Sequence, residues 1–382
     1  MPHMDSAGEN SIVTLSAVGD LMLGDHPVVI GHGTGTSIQK YGLDFPFAKV
    51  RDYLFSRDIV FANLEFVLSG TNLIPDNLES MEMRSFPGAV ACLTSAGIAV
   101  VNVANNHMLQ HGEEAFRETL SVLRENNIGV AGLRATEGDF HSQPCVIERK
   151  GVKVGFLGYS YRGEKYFQKE PLYAVAEESR IISDVRAIQK SVNIVAVSLH
   201  WGDEFINRPS LEQIRLGRKL IDCGVDIVIG HHPHVLQGIE RYKTGVIAYS
   251  LGNFVADMWQ PRMRESMIFD CALSESGVHD VGFVPARINP KHQPEILSGT
   301  KGKKLSDRIN LWSEQLRAED FLNNEEKENK YLKEVRLNTG IYRLQCYIYF
   351  LTHIWKYKRS IIFASVKRSL QRRMETLGLK FE

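Results

Sequence analysis

Short apolar runs recur along the first two-thirds of the chain, and each stops at polar residues able to bind metal. Residues 14–18 run into Gly19 and Asp20, and residues 59–62 run into Asn63, Leu64 and Glu65. Residues 99–101 lead through Asn102 to Asn105, Asn106 and His107. Residues 194–199 end at His200, with Glu204 just beyond, and residues 225–229 end at Gly230-His-His-Pro-His234. Residues 246–250 end at Leu251, Gly252 and Asn253. Runs of this length, rich in β-branched residues, predict buried strands. Helix-period segments lie between them at 113–126, 177–190 and 210–223. The last places Leu211, Ile214, Leu216, Leu220 and Ile221 close to one face and stops at Gly224, a suitable residue for the turn after a helix. Strand and helix alternating in this way predict an α/β fold. Ligands of open α/β sheets bind beyond the carboxyl ends of strands. Six ends bearing Asp, Glu, Asn and His therefore predict one shared pocket.

The remaining pattern sets the boundaries. A glycine-rich loop over about 24–46 is long enough to be expected to line or cover that pocket. Residues 267–273 and 281–288, with a Ser/Gly turn between, predict an antiparallel hairpin closing a sheet edge. These assignments give a main domain over 11–297 and a helical extension over 298–382, with 301–304 as a linker and 307–335 as a polar amphipathic segment. Residues 341–379 are aromatic and basic together, including Tyr342, Tyr349, Trp355, Arg359, Lys367 and Arg373. Two readings of this stretch stand. It is a helical hairpin packed on the main domain, or a basic amphipathic surface for an anionic membrane or a synthase partner.

Composition narrows the function classes. Among 382 residues, Lys+Arg and Asp+Glu both number 45, so no overall field favours nucleic acid, and no basic-aromatic motif for it occurs. The five cysteines are widely spaced, mostly beside apolar residues, and form no CxxC pair, which predicts reduced thiols. The polar stretch 1–10 carries no secretory signal, and no apolar run reaches the ~18 residues of a spanning helix. The expected location is cytoplasmic, with peripheral contact at the inner membrane face through 341–379.

Chemistry concentrates at Gly230-His-His-Pro-His234. Imidazole is the commonest side-chain ligand for transition metals. Pro233, with its fixed φ and no N–H, holds His232 and His234 on a stiff turn, where each could serve one ion of a pair.

The series Gly19-Asp-Leu-Met-Leu-Gly24, Ala62-Asn-Leu-Glu65, Asn105-Asn-His107, Leu199-His-Trp-Gly202 with Glu204, Gly230-His-His-Pro-His-Val-Leu-Gln237 and Tyr249-Ser-Leu-Gly-Asn-Phe254 resembles the CapA family. These are capsule-synthesis and poly-γ-glutamate-synthesis proteins within the calcineurin-like metallophosphatase superfamily, and the likeness runs from about residue 12 to about 258. The resemblance implies a four-layer sandwich, two facing β-sheets flanked by helices, with a dinuclear site at the strand ends. It maps metal ligands onto Asp20, Asn63 or Glu65, Asn106, His200, His232 and His234, and a catalytic role onto His107. His231 is expected behind the ligands, Asn253 and Glu204 near them, and Arg84 on an anionic substrate group. Carboxylate and amide oxygens with imidazoles suit two divalent ions, Mn, Zn, Fe or Mg. His107, with an ordinary pKa near ~6.5, is expected to protonate a leaving group or bind a substrate oxygen.

Three positions depart from the family pattern. Asp20-Leu21-Met22 lacks the superfamily's first-strand histidine, Asp25 stands where arginine is common, and Met108-Leu109-Gln110 replaces Ala-Leu-Asp. The function implied is a dinuclear-metal-dependent, phosphoesterase-like hydrolase of capsule or poly-γ-glutamate synthesis, acting on a phosphoester or envelope-polymer intermediate, with an anionic small molecule or polymer as substrate. The alternative is a noncatalytic metal-binding scaffold of a polymer-synthesis complex. A nucleotidase finds no adenine-stacking motif to support it.

Overall fold

Strand Val13–Leu21 carries the architecture, because its side chains serve two cores at once. In this computed structural model, residues 12–136, 139–161, 171–317 and 325–376 are described. Val13–Leu21 pairs in parallel with Ile59–Leu64, which is followed outward by the parallel strands Val100–Asn102 and Gly129–Ala131. On its other side lies the antiparallel hairpin Glu265–Ser274 and Gly277–Ile288. That hairpin continues the sheet rather than closing it, since the edge strand is Pro294–Ile296. A six-stranded sheet faces this one, with Gly245–Ala248, Ile227–His231, Ile194–His200 and Val152–Ser160 running parallel through its centre.

Alternation along the strands assigns the layers, because successive side chains point to opposite faces. Leu15, Ile59, Phe61 and Val100 face Phe156, Ala196, Ile229 and Val246 across the gap between sheets. Phe61 and Phe156 stack there with ring centroids 5.3 Å apart. Burial of each such ring contributes roughly 1.5–3 kcal/mol. The opposite faces meet helices. Val60, Ala62 and Val101 pack on Leu93, Phe116 and Leu123, from helices Val90–Ser95 and Gly112–Glu125. Leu157, Val197 and Val228 pack on Ile181, Ile214 and Leu220, from helices Glu178–Ile188 and Leu211–Asp222. This is the four-layer α/β sandwich that the family resemblance implies. Strands covered on both faces have to be apolar throughout, which explains why they read as continuous apolar runs.

Two expectations need correction. The 24–46 loop contains the helix Thr34–Tyr41, anchored where Asp257 accepts a hydrogen bond from the Thr34 amide at 2.5 Å. Residues 301–304 are no linker: they lie inside helix Gly299–Arg317, whose Leu305, Ile309 and Leu316 are buried. Leu305, Ile309, Trp312 and Leu316 recur at helical spacing, and that apolar stripe outweighs the run of lysines beside it.

The chain then forms helices Glu325–Thr352 and Arg359–Thr376, separated by a tight turn at Ile354–Lys356. They fold back over the strand ends. Tyr342 stacks on Phe205 at 4.3 Å, Asn338 donates to the Phe205 carbonyl at 2.8 Å, and Tyr331 donates to Asp203 at 3.1 Å. Among the described residues, no helix is long and apolar enough to cross a membrane.

Candidate metal centre

The sheets bring the ligand-type residues together because their parallel strands end at one level. Asp20 lies opposite Asn63 on one side and Asn253 on the other, and His200 lies opposite His231 in the facing sheet. The Glu65 amide donates to the Leu21 carbonyl at 3.0 Å, fixing Glu65 one step past the strand ends. Gly230 is required where the second sheet delivers its histidines: a Cβ there would sit 1.9 Å from the Tyr249 carbonyl oxygen. His232 and His234 both hold positive φ, 95° and 57°. Such backbone is costly for a residue bearing a Cβ and concentrates at functional sites.

Asp20 is fully buried among donors. Its Oδ1 accepts from Asn63 Nδ2 at 2.8 Å and lies 3.2 Å from His231 Nδ1. Its Oδ2 lies 3.3 Å from His234 Nδ1 and accepts weakly from the His232 amide at 3.4 Å. Glu65 is equally buried. Its Oε1 lies 3.5 Å from His200 Nε2, 3.7 Å from His234 Nε2 and 4.0 Å from His107 Nε2. Two groups of ligand atoms, each within 4.8 Å of one another, result: Glu65, His232 and His234, and Asp20, Glu65 and His200. Glu65 belongs to both.

The electrostatics favour a cation. Burial raises Glu65 well above the usual carboxylate range, and the nearby Asp20 charge adds to that. Burial also acts to raise Asp20, but hydrogen bonds and charge from His231 and His234 outweigh it and hold Asp20 well below its usual value. Burial works to lower His234, yet Glu65 and Asp20 push it up to about 10. Neither oxygen of Glu65 accepts a hydrogen bond. A buried carboxylate without donors is costly unless a positive charge compensates it. The donor set therefore fits a divalent ion that prefers oxygen and imidazole nitrogen, such as Mn, Zn, Fe or Mg.

The other predicted residues occupy distinct places. Asn106 Oδ1 lies 2.7 Å from His200 Nε2, so Asn106 sits at the rim of the cluster. Asn63 spends its amide on the wall, donating to Asp20 and accepting from Asn102 at 2.9 Å and Asn105 at 3.3 Å. Asn253 accepts from His234 Nδ1 at 3.0 Å and donates to the His234 carbonyl at 3.1 Å, which fixes that ring. Glu204 is near enough for its charge to act on Glu65 and His234. Arg84 is not in the cluster: its Nη1 donates to the Thr71 carbonyl at 2.7 Å. His107 also needs correction, since burial takes its pKa down to about 4 rather than leaving it near neutrality. Its Nδ1 pairs with Gln110 Oε1 at 2.8 Å, which turns Nε2 toward Glu65.

Sequence reasoning missed Asn102 and Asn105 as wall amides and Gln110 as the partner of His107. The density of asparagines at one strand end was the available signal for the first two, and the three-residue spacing for Gln110.

Comparison with known proteins places the chain among sequence relatives. The sequence profile of the bacterial capsule synthesis protein PGA_cap matches residues 14–258. The capsule biosynthesis protein CapA of Bacillus anthracis is 30% identical over 324 residues, covering 80% of this chain and 77% of that one. The PGA biosynthesis protein CapA of Bacillus subtilis is 29% identical over 283 residues, covering 73% of each. A solved 5'-nucleotidase from Candida albicans aligns at 10% identity with a TM-score of 0.41, over 83% of this chain and 60% of that one. Every residue of the two ligand groups falls inside the matched segment, and the chain belongs to the bacterial capsule synthesis protein PGA_cap family.

Proposed function

We propose that this chain is a divalent-metal-dependent hydrolase of a phosphoester or envelope-polymer intermediate in capsule or poly-γ-glutamate synthesis. The observation that carries the reading is Glu65, shared between two ligand groups at the ends of facing sheets. One carboxylate common to both groups suits a pair of ions better than a single structural one. Asp20 and His200 would complete one site, and His232 with His234 the other. Bound there, the ions would supply Lewis-acid polarisation and charge neutralisation for an anionic ester.

The chain's own residues do the rest. Asn63, Asn253 and His231 hold Asp20 and His234 in place. His107 is neutral at pH 7, with Nε2 facing the cluster. An arriving dianionic ester adds negative charge beside that ring and favours the imidazolium, which can then donate to a leaving-group oxygen.

The test is turnover of aryl phosphates by the purified chain with manganese added. Stimulation by the metal, and loss in folded His232→Ala and His107→Ala variants by at least about a hundredfold, is the expected result. A metal-loaded chain inert toward broad panels of phosphoesters and γ-glutamyl amides would sink the enzyme reading. That outcome would favour a noncatalytic scaffold, for which Met22 speaks. It occupies the position of the superfamily's first-strand histidine and packs with Met83, Phe205 and Met258 in an apolar cluster instead of offering a ligand.

A further inference from the structure

The two terminal helices use one face to pack on the strand-end loops and leave the other uncovered. On helix Glu325–Thr352 the inward side carries Tyr331, Asn338 and Tyr342. The outward side carries Leu337, Ile341, Leu344, Ile348 and Leu351, at alternating steps of four and three, all exposed. The pattern continues past the turn. Trp355 is 74% exposed, and on helix Arg359–Thr376 Phe363 is 73% exposed beside exposed Val366 and Leu370. Tyr347 and Ser369 hydrogen-bond at 3.1 Å, joining the two helices beside this stripe. Contiguous apolar surface of this kind marks an interaction site.

Charge selects the occupant. Over residues 335–374 the sequence holds nine Lys or Arg and neither Asp nor Glu, in a chain whose totals balance at 45 each. Two of the nine are used inward, Lys358 on Asp76 at 2.6 Å and Arg368 on Glu82 at 2.6 Å. Arg336, Arg343, Lys356, Arg359, Lys367 and Arg373 are exposed around the apolar stripe. The alternating four-and-three spacing would suit a helix of a second copy, but that pairing would set cations against cations with no anion between. A soluble polyanion answers the charge and leaves the tryptophan, phenylalanine and leucines in water. An anionic lipid surface answers both, because it offers head-group charge above a hydrocarbon layer.

We infer that the outward face of the 325–376 helices docks this protein on an anionic membrane surface, with Trp355 and Phe363 entering the interface and the flanking Lys and Arg on the head groups. Neither helix spans the bilayer. Both lie in its plane, which sets the metal centre beneath them and close to the lipid.

Co-sedimentation of the full chain with vesicles tests this. Vesicles of phosphatidylcholine with about one-third phosphatidylglycerol should carry the protein down at about 0.1 M salt, and vesicles of phosphatidylcholine alone should not. Trp355→Ser with Phe363→Ser should lower the apparent partition at least about tenfold, and so should Arg359→Glu with Lys367→Glu and Arg373→Glu. These side chains are exposed, so unchanged circular dichroism and thermal unfolding separate lost docking from lost folding. An intact, folded chain that stays in the supernatant with anionic vesicles overturns the inference. So does a dimer in light scattering that the Trp355/Phe363 variant dissociates while vesicles bind neither form, because the face would then belong to a second copy.

Discussion

Arg368 Nη1 lies 2.6 Å from Glu82 Oε2, and through this pair the last helix reaches the candidate catalytic histidine. Glu82 Oε1 accepts from Gln110 Nε2 at 2.8 Å, and Gln110 Oε1 pairs with His107 Nδ1 at 2.8 Å. The series crosses from residue 368 to residue 107 in three hydrogen bonds. Two of the three bonds join different segments, Arg368 to Glu82 and Gln110 to Glu82, so the fold-back of the terminal helices and the aim of His107 are set together. Burial raises the Glu82 pKa, and Arg368 pulls against that rise.

Removing one member should therefore cost more than removing both. Arg368→Gln leaves Glu82 buried beside Gln110 without its cation, at a cost of about 3 kcal/mol. That sits at the low end for buried pairs, because the Arg368 side chain is 17% exposed. Glu82→Gln keeps an amide oxygen for Gln110 and should cost less. In urea unfolding, the double variant should be more stable than the sum of the single losses by at least about 1 kcal/mol. Additivity would mean that the two side chains are neighbours without coupling.

Glu65→Gln should change metal binding far more than it changes metal-free stability. Glu65→Gln keeps the shape and removes a buried charge that accepts no hydrogen bond. The metal-free variant should unfold within about 1 kcal/mol of the parent, because an amide is cheaper to desolvate than a carboxylate but gives up the attraction of the His234 imidazolium. The parent should gain about 2.7 kcal/mol when manganese reaches a hundred times its Kd, and the variant should lose most of that gain. Metal content by elemental analysis should fall for both ions together. A variant stabilised by manganese as strongly as the parent would rule out Glu65 as the shared ligand.

The contrast between the strand ends and the terminal helices shows what sequence could convey. Asp20, Glu65, His200, His232 and His234 were readable because the period that makes a strand and the residue types that hold a metal coincide in one short stretch each. Adjacent parallel strands paired in register bring such ends to one level, so local pattern implied a distant meeting. The terminal helices had no such rule. Their partners, His26 (3.3 Å from the Tyr342 hydroxyl), Asp76, Glu82, Asp203 and Phe205, lie more than a hundred residues away, and nothing periodic links them. Aromatic residues such as Tyr342 and Trp355 also look alike in sequence, yet Tyr342 packs on Phe205 and Trp355 faces outward. The lysines at 301, 303 and 304 hid a helix for a related reason: charge is conspicuous, while its buried stripe at Leu305, Ile309 and Leu316 emerges only over several turns.

Gly230 should tolerate no side chain. The Cβ of Gly230→Ala would meet the Tyr249 carbonyl oxygen at 1.9 Å and its carbon at 2.5 Å. Those are backbone atoms, held where Leu251 donates to the Gly230 carbonyl at 3.2 Å, so they cannot swing aside. The expected loss is at least about 3 kcal/mol, with weaker metal binding as His231 and His232 shift. Gly282→Ala is the control, since open space surrounds it, and its thermal unfolding should move by less than about 0.5 kcal/mol. Comparable melting of the two variants would show that the sheet end is not closely packed.

Asp58 should make stability depend on acid at the end of the sandwich away from the candidate metal centre. Its Oδ2 accepts from the Thr14 amide at 2.8 Å, from Thr14 Oγ1 at 2.9 Å and from Lys150 Nζ at 2.8 Å, linking the first strand to a turn of the facing sheet. Burial acts to raise its pKa, but Lys150 and Thr14 outweigh that and lower it. A group whose folded pKa is depressed contributes stability above its unfolded value, near ~3.9, and loses it as pH falls through the folded one. Asp58→Asn should therefore cost about 1–3 kcal/mol at pH 7, and the difference from the parent should shrink as pH falls below about 3.9 and on through the lowered folded value. Salt should reduce it only slightly, because the Thr14 bonds are short-range while the half-exposed Lys150 contributes little. Parallel stability curves for parent and variant across the acid range would show that the carboxylate's charge does not hold these two sheets together.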